Sequence, residues 1–229
     1  MTPEEILGAL RGRLVVSCQA YPGEPLRTPE SMTGMALSAV AGGAAGIRAQ
    51  GIEDIAMIRG RIDVPLIGLW KIGTEGVFIT PTLEAALACA RAGADIVAVD
   101  GTRRPRPDGL SLADVVDGVH ERTGALVMAD VGSLEDARCA EEAGADVIST
   151  TLAGYTPERE RTRGPDLELL AQIVRATELP VFAEGRIHTP QQAADAMAAG
   201  ATAVVVGTAI THPATITSWF AAAVDRRAS

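Results

Sequence analysis

Eight short runs of apolar and β-branched residues alternate along the chain with longer stretches in which alanine and leucine recur at helical spacing. Because the short runs are apolar almost throughout, and not at every second position, they are typical of parallel strands covered by helices on both faces. The strand candidates are residues 14–19, 46–49, 66–70, 95–100, 125–130, 146–150, 180–184 and 203–207.

Turn and capping residues mark the boundaries between these units. Three Ala-rich stretches end in a glycine shortly before a strand, a position that suits a left-handed helix C-terminus, at Gly93, Gly144 and Gly200. The string AGGAAG at 41–46 also lies before a strand, and we interpret it as a helix end. Ser or Thr near Pro or Glu predicts helix starts within 80–86, 132–137 and 188–193.

Eight β/α units in 229 residues predict a (β/α)₈ TIM barrel, an α/β fold with a parallel eight-stranded closed sheet and a single domain over residues 1–229. The alternative is a doubly wound open sheet, which would carry a glycine-rich dinucleotide turn after its first strand. The segment SCQAYPGEP after the first strand lacks that turn. The barrel is therefore favoured.

Polar groups and glycines collect at one end of the predicted strands, and proline, glycine and aliphatic residues lie at the other. In such a barrel, functional side chains come from the C-terminal strand ends and the loops after them. The residues there are Gln19, Arg48, Lys71, Asp100, Asp130, Thr150, Thr151, Glu184, Gly185, Arg186, Gly207 and Thr208. This asymmetry predicts a site at that end.

Lys71 is the only lysine among 20 basic residues. Arginine is always charged, whereas a lysine amine can lose its proton and act as a base or nucleophile. We therefore interpret Lys71 as a catalytic candidate, with an ordinary surface lysine as the alternative. The segments 183–190 and 205–213 resemble the phosphate-binding loops of barrels, where Gly185, Gly207 and Thr208 would let the backbone approach an anion. Tight turns without a ligand are the alternative there.

Composition excludes several classes of protein. A net charge of −9 argues against non-specific nucleic-acid binding, and glycine pairs interrupt the longest apolar run, 32–47, so no membrane span is expected. Cys18, Cys89 and Cys139 are odd in number and far apart, which together with an acidic N-terminal segment predicts a cytoplasmic protein with reduced thiols. No spacing of metal ligands is present, and we expect neither a metal nor a cofactor.

The motifs SCQA, GIRA, PLIGLWK, VFITPT, MADV, STTLAGYT, FAEGRI and VVVGTAIT, in this order, resemble the N-acetylmannosamine-6-phosphate 2-epimerases, the NanE family. The resemblance runs from about residue 12 to residue 222. It implies a (β/α)₈ barrel that interconverts N-acetylmannosamine 6-phosphate and N-acetylglucosamine 6-phosphate in amino-sugar and sialic acid catabolism. It also implies that no metal or nucleotide takes part and, together with Met/Ala-rich apolar helix faces, that the chain forms a homodimer.

The same resemblance implies the roles of individual residues. It makes Lys71 and Glu184 catalytic. It places substrate binding on Gln19, Arg48 and Asp130, and we add the neighbouring residues Thr150, Gly185, Arg186, Gly207, Thr208 and His212. Where the family motif reads AITRP, with an arginine that contacts the substrate, this chain reads AITHP, with His212. That departure bears on phosphate or acyl-group preference.

Epimerisation at C2 removes a proton α to the aldehyde and returns it to the other face. Lys71 and Glu184 could act as the two acid–base groups, with Arg48 stabilising the enolate oxygen. A single-base version, in which Lys71 serves both faces or the substrate's own hydroxyl assists, stays open. Two alternatives differ in class: a Schiff-base aldolase or synthase that uses Lys71, and a non-catalytic barrel that senses a phosphosugar.

Overall fold

The computed structural model describes residues 1–225, and its eight strands are all parallel and close into one barrel in chain order. Each strand begins and ends within one residue of its predicted bounds, which confirms the (β/α)₈ barrel over the open sheet. Residues 226–229, the end of the predicted domain 1–229, lie outside the described residues. The strands are β1 Leu14–Cys18, β2 Gly46–Gln50, β3 Leu66–Leu69, β4 Ile96–Asp100, β5 Leu126–Asp130, β6 Val147–Ser149, β7 Val181–Glu184 and β8 Ala203–Val206.

Helices alternate with these strands along the chain, as the hydrophobic pattern predicts. A single turn of 3₁₀ helix, Thr150–Leu152, directly follows β6. Within residues 1–225, no helix has both the length and the apolar composition needed to cross a membrane. The helices are α1 Pro3–Leu10, α2 Pro29–Ala41, α3 Ile52–Arg59, α4 Leu83–Arg91, α5 Leu112–Thr123, α6 Leu134–Glu142, α7 Leu167–Ala176, α8 Pro190–Ala198, α9 Thr208–Thr211 and α10 Pro213–Asp225.

The predicted capping residues start and end helices as expected. The side chains of Thr82, Ser133 and Thr189 each accept a hydrogen bond from the backbone N–H three residues later. After α4, Gly93 has φ +110°, and the N–H groups of Gly93 and Ala94 donate to the carbonyls of Ala90 and Cys89. This pair of bonds is a Schellman motif, which places the glycine in the left-handed region.

The interior of the barrel is filled by large apolar side chains such as Phe182, Met128 and Ile67, all fully buried. A second layer of apolar contacts lies between the strands and the surrounding helices. Arg48 is the exception, since it is 1% exposed and yet points its charge into the barrel. A buried charge requires ionic partners, and these partners define the site.

Candidate active site

Arg48, Asp130 and Glu184 meet inside the barrel, delivered by β2, β5 and β7. The Arg48 guanidinium donates to both carboxylate oxygens of Asp130, at 3.0 and 2.6 Å. The same guanidinium lies 2.8 Å from Oε2 of Glu184. One arginine therefore holds two carboxylates in fixed positions at the C-terminal end of the barrel.

The balance of charge in this cluster shapes the acidity of Glu184. Burial raises the pKa of Glu184 to about 7; the Arg48 charge opposes this rise, and Asp130 adds to it. A carboxyl group with such a pKa gives and takes a proton near neutral pH, which suits general acid–base catalysis.

The 3₁₀ turn after β6 holds Glu184 from a second side. Thr151 Oγ1 lies 2.7 Å from Oδ1 of Asp130, 3.1 Å from Oε2 of Glu184 and 2.8 Å from Oγ of Ser149. The hydroxyl of Thr150 donates to the carbonyl of Glu184 at 2.9 Å and accepts its N–H at 3.0 Å. The predicted binding residue Thr150 thus contacts the backbone of the catalytic candidate, and Thr151 bridges the two carboxylates.

Lys71 lies at the mouth of the barrel, just after β3. Its ammonium donates to Oε1 of Gln19 at 2.7 Å, and Nε2 of Gln19 donates to Oγ of Ser17 at 2.8 Å. The structure therefore joins the two predicted residues Lys71 and Gln19 directly. Ser17, in β1, is a supporting residue that the sequence does not single out.

Lys71 can be reached from solvent, yet protein surrounds enough of its ammonium to change its acidity. This partial burial lowers the pKa of Lys71 below its ordinary value, and the nearby Arg48 charge lowers it further. Glu184 and Asp130 act in the opposite direction. The site thus combines an amine that loses its proton more easily with a carboxyl group that keeps its proton longer.

A short hairpin carries Lys71, and Thr80 closes it. Lys71 pairs with Ile79 in antiparallel fashion. Thr80 is fully buried with φ +44°, which is rare for a β-branched residue. Its hydroxyl accepts the N–H of Trp70 at 3.0 Å and donates to the carbonyl of Ala98 at 2.6 Å. In the sequence, Thr80 belongs only to the motif VFITPT and to the helix start predicted within 80–86, and neither predicts this role for it.

The loop after β7 turns sharply behind Glu184, with φ +108° at Gly185 and +56° at Arg186. The Arg186 guanidinium donates to the carbonyls of Gly164 and Ala153 and to the hydroxyl of Thr162, at 3.0, 2.7 and 3.0 Å. These bonds hold the Arg186 side chain against the loop after β6. A contact between Arg186 and the substrate stays a prediction.

The turn after β8 lies against β1. A Cβ atom on Gly207 would meet Cβ of Ser17 at 3.3 Å, so this turn leaves little room for a side chain. Thr208 is the first residue of α9.

Asp100, at the end of β4, accepts a hydrogen bond from the hydroxyl of Thr102 and pairs with Arg104 at 2.7 Å, so its carboxylate is engaged within its own loop.

His212 follows α9 and faces the loop after β1. Its ring centroid lies 5.0 Å from that of Tyr21, and its Nδ1 lies 3.6 Å from Oε2 of Glu24. The ring is buried, and Nδ1 has no hydrogen-bond partner. Tyr21 and Glu24 are contacts that the sequence analysis does not identify. Within residues 1–225, no three His, Cys, Asp or Glu side chains are grouped so that they could hold a metal ion.

The sequence profile of the NanE family, described as "Putative N-acetylmannosamine-6-phosphate epimerase", matches residues 32–226. This chain belongs to the NanE family. A NanE relative from Cutibacterium acnes is 56% identical over 219 residues, which cover 95% of this chain and 96% of the relative. Another, from Caldanaerobacter subterraneus, is 46% identical over 226 residues, covering 97% and 95%. Both carry the name "Putative N-acetylmannosamine-6-phosphate 2-epimerase".

Solved structures agree with the NanE assignment. The N-acetylmannosamine-6-phosphate 2-epimerase from Clostridium perfringens superposes with a TM-score of 0.91 at 41% identity, over 94% of each chain. A thiamine phosphate pyrophosphorylase from Pyrococcus furiosus, at 22% identity and a TM-score of 0.62, shares the fold alone. The predicted family and barrel are therefore confirmed.

Proposed function

We propose that this chain interconverts N-acetylmannosamine 6-phosphate and N-acetylglucosamine 6-phosphate by removing the C2 proton and returning it to the opposite face. The observation that carries the proposal is the presence of Lys71 and Glu184 at the same end of the barrel, with the pKa of the amine lowered and that of the carboxyl raised to about 7. The activity named for the NanE relatives gives the substrate.

The proposed reaction uses the two groups in turn. In the open-chain sugar, the neutral amine of Lys71 takes the C2 proton, and the protonated Glu184 delivers one to the other face; the reverse reaction exchanges these roles. We assign stabilisation of the enolate oxygen to the guanidinium of Arg48, which two carboxylates hold in a buried position. Gln19 and Asp130 orient hydroxyls or the acetamido group.

The phosphate is proposed to bind at the turns after β7 and β8. Gly185 and Gly207 allow close approach of the backbone, and the N–H groups of Arg186 and Thr208 can face an anion there. His212 and Thr150 complete the proposed substrate site by supporting its neighbouring loops, as their contacts with Tyr21 and with the backbone of Glu184 suggest.

Proton NMR in deuterated water tests the function. With N-acetylmannosamine 6-phosphate, the wild-type protein is expected to deplete the C2 proton signal as N-acetylglucosamine 6-phosphate appears, and Lys71→Met is expected to abolish both changes. Near wild-type rates in Glu184→Gln would contradict the two-base version in favour of a single base. A covalent adduct on Lys71 after borohydride treatment would favour the aldolase alternative, and binding without exchange would favour the sensor.

A homodimer is the proposed assembly. Among the helices described, α10 is the one with no buried residue, and it exposes Phe220 and Val224. An open apolar cavity of about 430 Å³ lies beside β1 and β8, lined by residues that include Ala194, Met197 and Ile210. We propose that α10 of each copy packs into this cavity of the other.

The proposed location is the cytoplasm, where the cysteines, none of them in a disulfide, would stay reduced.

A further inference from the structure

Tyr21 presents an aromatic ring at the mouth of the barrel, next to the catalytic amine. The ring centroid lies 6.0 Å from Nζ of Lys71, and 56% of the residue is exposed. The groups that otherwise interact with this ammonium are polar: the amide of Gln19 by a hydrogen bond, Arg48 and Glu184 by charge. Tyr21 thus supplies apolar surface beside a polar catalytic centre.

The loop after β1 holds this ring in place. Oε2 of Glu24 accepts the N–H of Tyr21 at 2.7 Å, and the N–H of Glu24 donates to the carbonyl of Tyr21 at 3.1 Å. The buried ring of His212 packs against the ring of Tyr21, with 5.0 Å between the two centroids. Further along, Arg27 pairs with Asp54 of α3 at 3.2 Å, which anchors the end of the loop. These contacts hold the loop that carries Tyr21, and the His212 ring packs against the Tyr21 ring.

The chemistry at C2 determines what can lie next to this ring. A base that removes the C2 proton must approach C2 to about 3–3.5 Å. C2 also carries the acylamino nitrogen, and the methyl carbon of an acetamido group lies about 3.8 Å from C2, as across any trans amide. A ring 6.0 Å from Nζ is therefore within reach of the acyl group.

We propose that Tyr21 forms a wall of the pocket for the C2 acyl group and selects for a small acyl chain, and that His212 and Glu24 are positioning residues for its ring. This inference rests on the proposed epimerase function. The proposal also gives a role to His212, which this chain has where the family motif has an arginine. The imidazole ring of His212 packs against the proposed aromatic wall.

Steady-state kinetics with N-acetyl- and N-propanoylmannosamine 6-phosphate test the proposal. The wild-type protein is expected to prefer the acetyl substrate. In Tyr21→Ala the ratio of kcat/KM values, propanoyl over acetyl, should rise about 10-fold, because one methylene in an apolar pocket changes discrimination by at least that factor. Most of the change should appear in KM.

Matched variants separate this role from a general loss of structure. Tyr21→Phe keeps the ring and should keep the wild-type ratio. Met57→Ala removes an exposed apolar side chain on helix α3 and should also leave the ratio unchanged. His212→Ala should shift the ratio in the same direction as Tyr21→Ala, whereas a purely structural role would lower kcat/KM for both substrates equally.

An active wild-type protein whose acyl ratio is the same in Tyr21→Ala would overturn the role of Tyr21 and leave the proposed function intact. A wild-type protein that converts neither substrate would overturn the proposed function. In that case the dissociation constants of the two acylated sugar phosphates, measured by calorimetry, test the role of Tyr21. The preference for the acetyl over the propanoyl compound should then be weaker in Tyr21→Ala than in the wild type, and an equal preference would overturn the role.

Discussion

At the scale of single residues, Glu184 is governed by the groups that surround its carboxylate. Arg48 carries one positive charge and faces both Asp130 and Glu184, so it can balance only one of these two negative charges. Asp130 takes the bidentate contact, and burial, with the Asp130 charge adding to it, raises the pKa of Glu184 to about 7. The positions of Arg48 and Asp130 thereby support the acid–base role that we propose for Glu184.

The pH dependence of kcat/KM follows from this arrangement. In either direction of the reaction, the active free enzyme carries one proton in total on Glu184 and Lys71. At low pH both groups are protonated, so activity should rise with pH as Glu184 ionises near pH 7. It should fall again as Lys71 loses its proton, below the ordinary lysine pKa of 10.5. Because the same free enzyme serves both directions, initial rates measured from either epimer should give the same two limbs. A profile of kcat/KM that is flat between pH 5 and pH 8 would contradict this role of Glu184.

Thr151→Val should move the acidic limb of that profile. The hydroxyl of Thr151 lowers the pKa of Glu184 through its hydrogen bond, so its removal should shift the limb upward by about half a unit to one unit. Thr151→Ser keeps the hydroxyl and should keep the wild-type limb. If Thr151→Val lowers the rate equally at every pH, the hydroxyl does not tune Glu184.

The raised pKa of Glu184 should also make stability depend on pH. Below pH 4.5 the carboxyl is protonated in both the folded and unfolded states; above it, the unfolded state ionises first, so stability falls until about pH 7. Glu184→Gln removes this loss. The Tm of the variant relative to the wild type should therefore increase between pH 4.5 and pH 8, by on the order of 5 °C. Scanning calorimetry at both pH values checks the sign.

At the scale of elements, the hairpin that carries Lys71 depends on Thr80. Thr80→Val removes a buried donor and acceptor and leaves the Trp70 N–H and the Ala98 carbonyl without that partner. We expect a loss of about 2–4 kcal/mol in the free energy of unfolding and a lower kcat, because the hairpin no longer holds Lys71 firmly. Thr80→Ser retains both bonds and serves as the control in urea unfolding and rate measurements.

The hydrophobic pattern predicts each strand to within a residue because a parallel strand buried on both faces leaves a continuous apolar run. Local capping chemistry likewise predicts Gly93 and Thr189. The left-handed backbone of Thr80 and the bridging hydroxyl of Thr151 depend on which strands become neighbours in the closed barrel, and no local signal encodes that. The pairing of His212 with Tyr21 joins the first and last loops and is equally invisible along the chain.

At the scale of the whole molecule, α10 and the cavity beside β1 and β8 are the two surfaces of the proposed dimer. Each strand of a (β/α)₈ barrel is normally covered by the helix that follows it. Here the 13-residue helix α10, the longest after β8, buries none of its residues, while the surface beside β8 has an apolar cavity. A helix of this length spans about 20 Å, enough to cover such a cavity in a second copy.

Light scattering after size-exclusion chromatography tests this assembly. The wild type is expected to elute with about twice the chain mass of 23.7 kDa, and Phe220→Asp should elute as a monomer because it places a charge on the contacting face of α10. Ala194→Asp changes an exposed residue in the lining of the cavity and should also give a monomer, whereas Met57→Asp, on helix α3, which does not line the cavity, should remain dimeric. If only Phe220→Asp dissociates, α10 forms the interface but does not occupy this cavity.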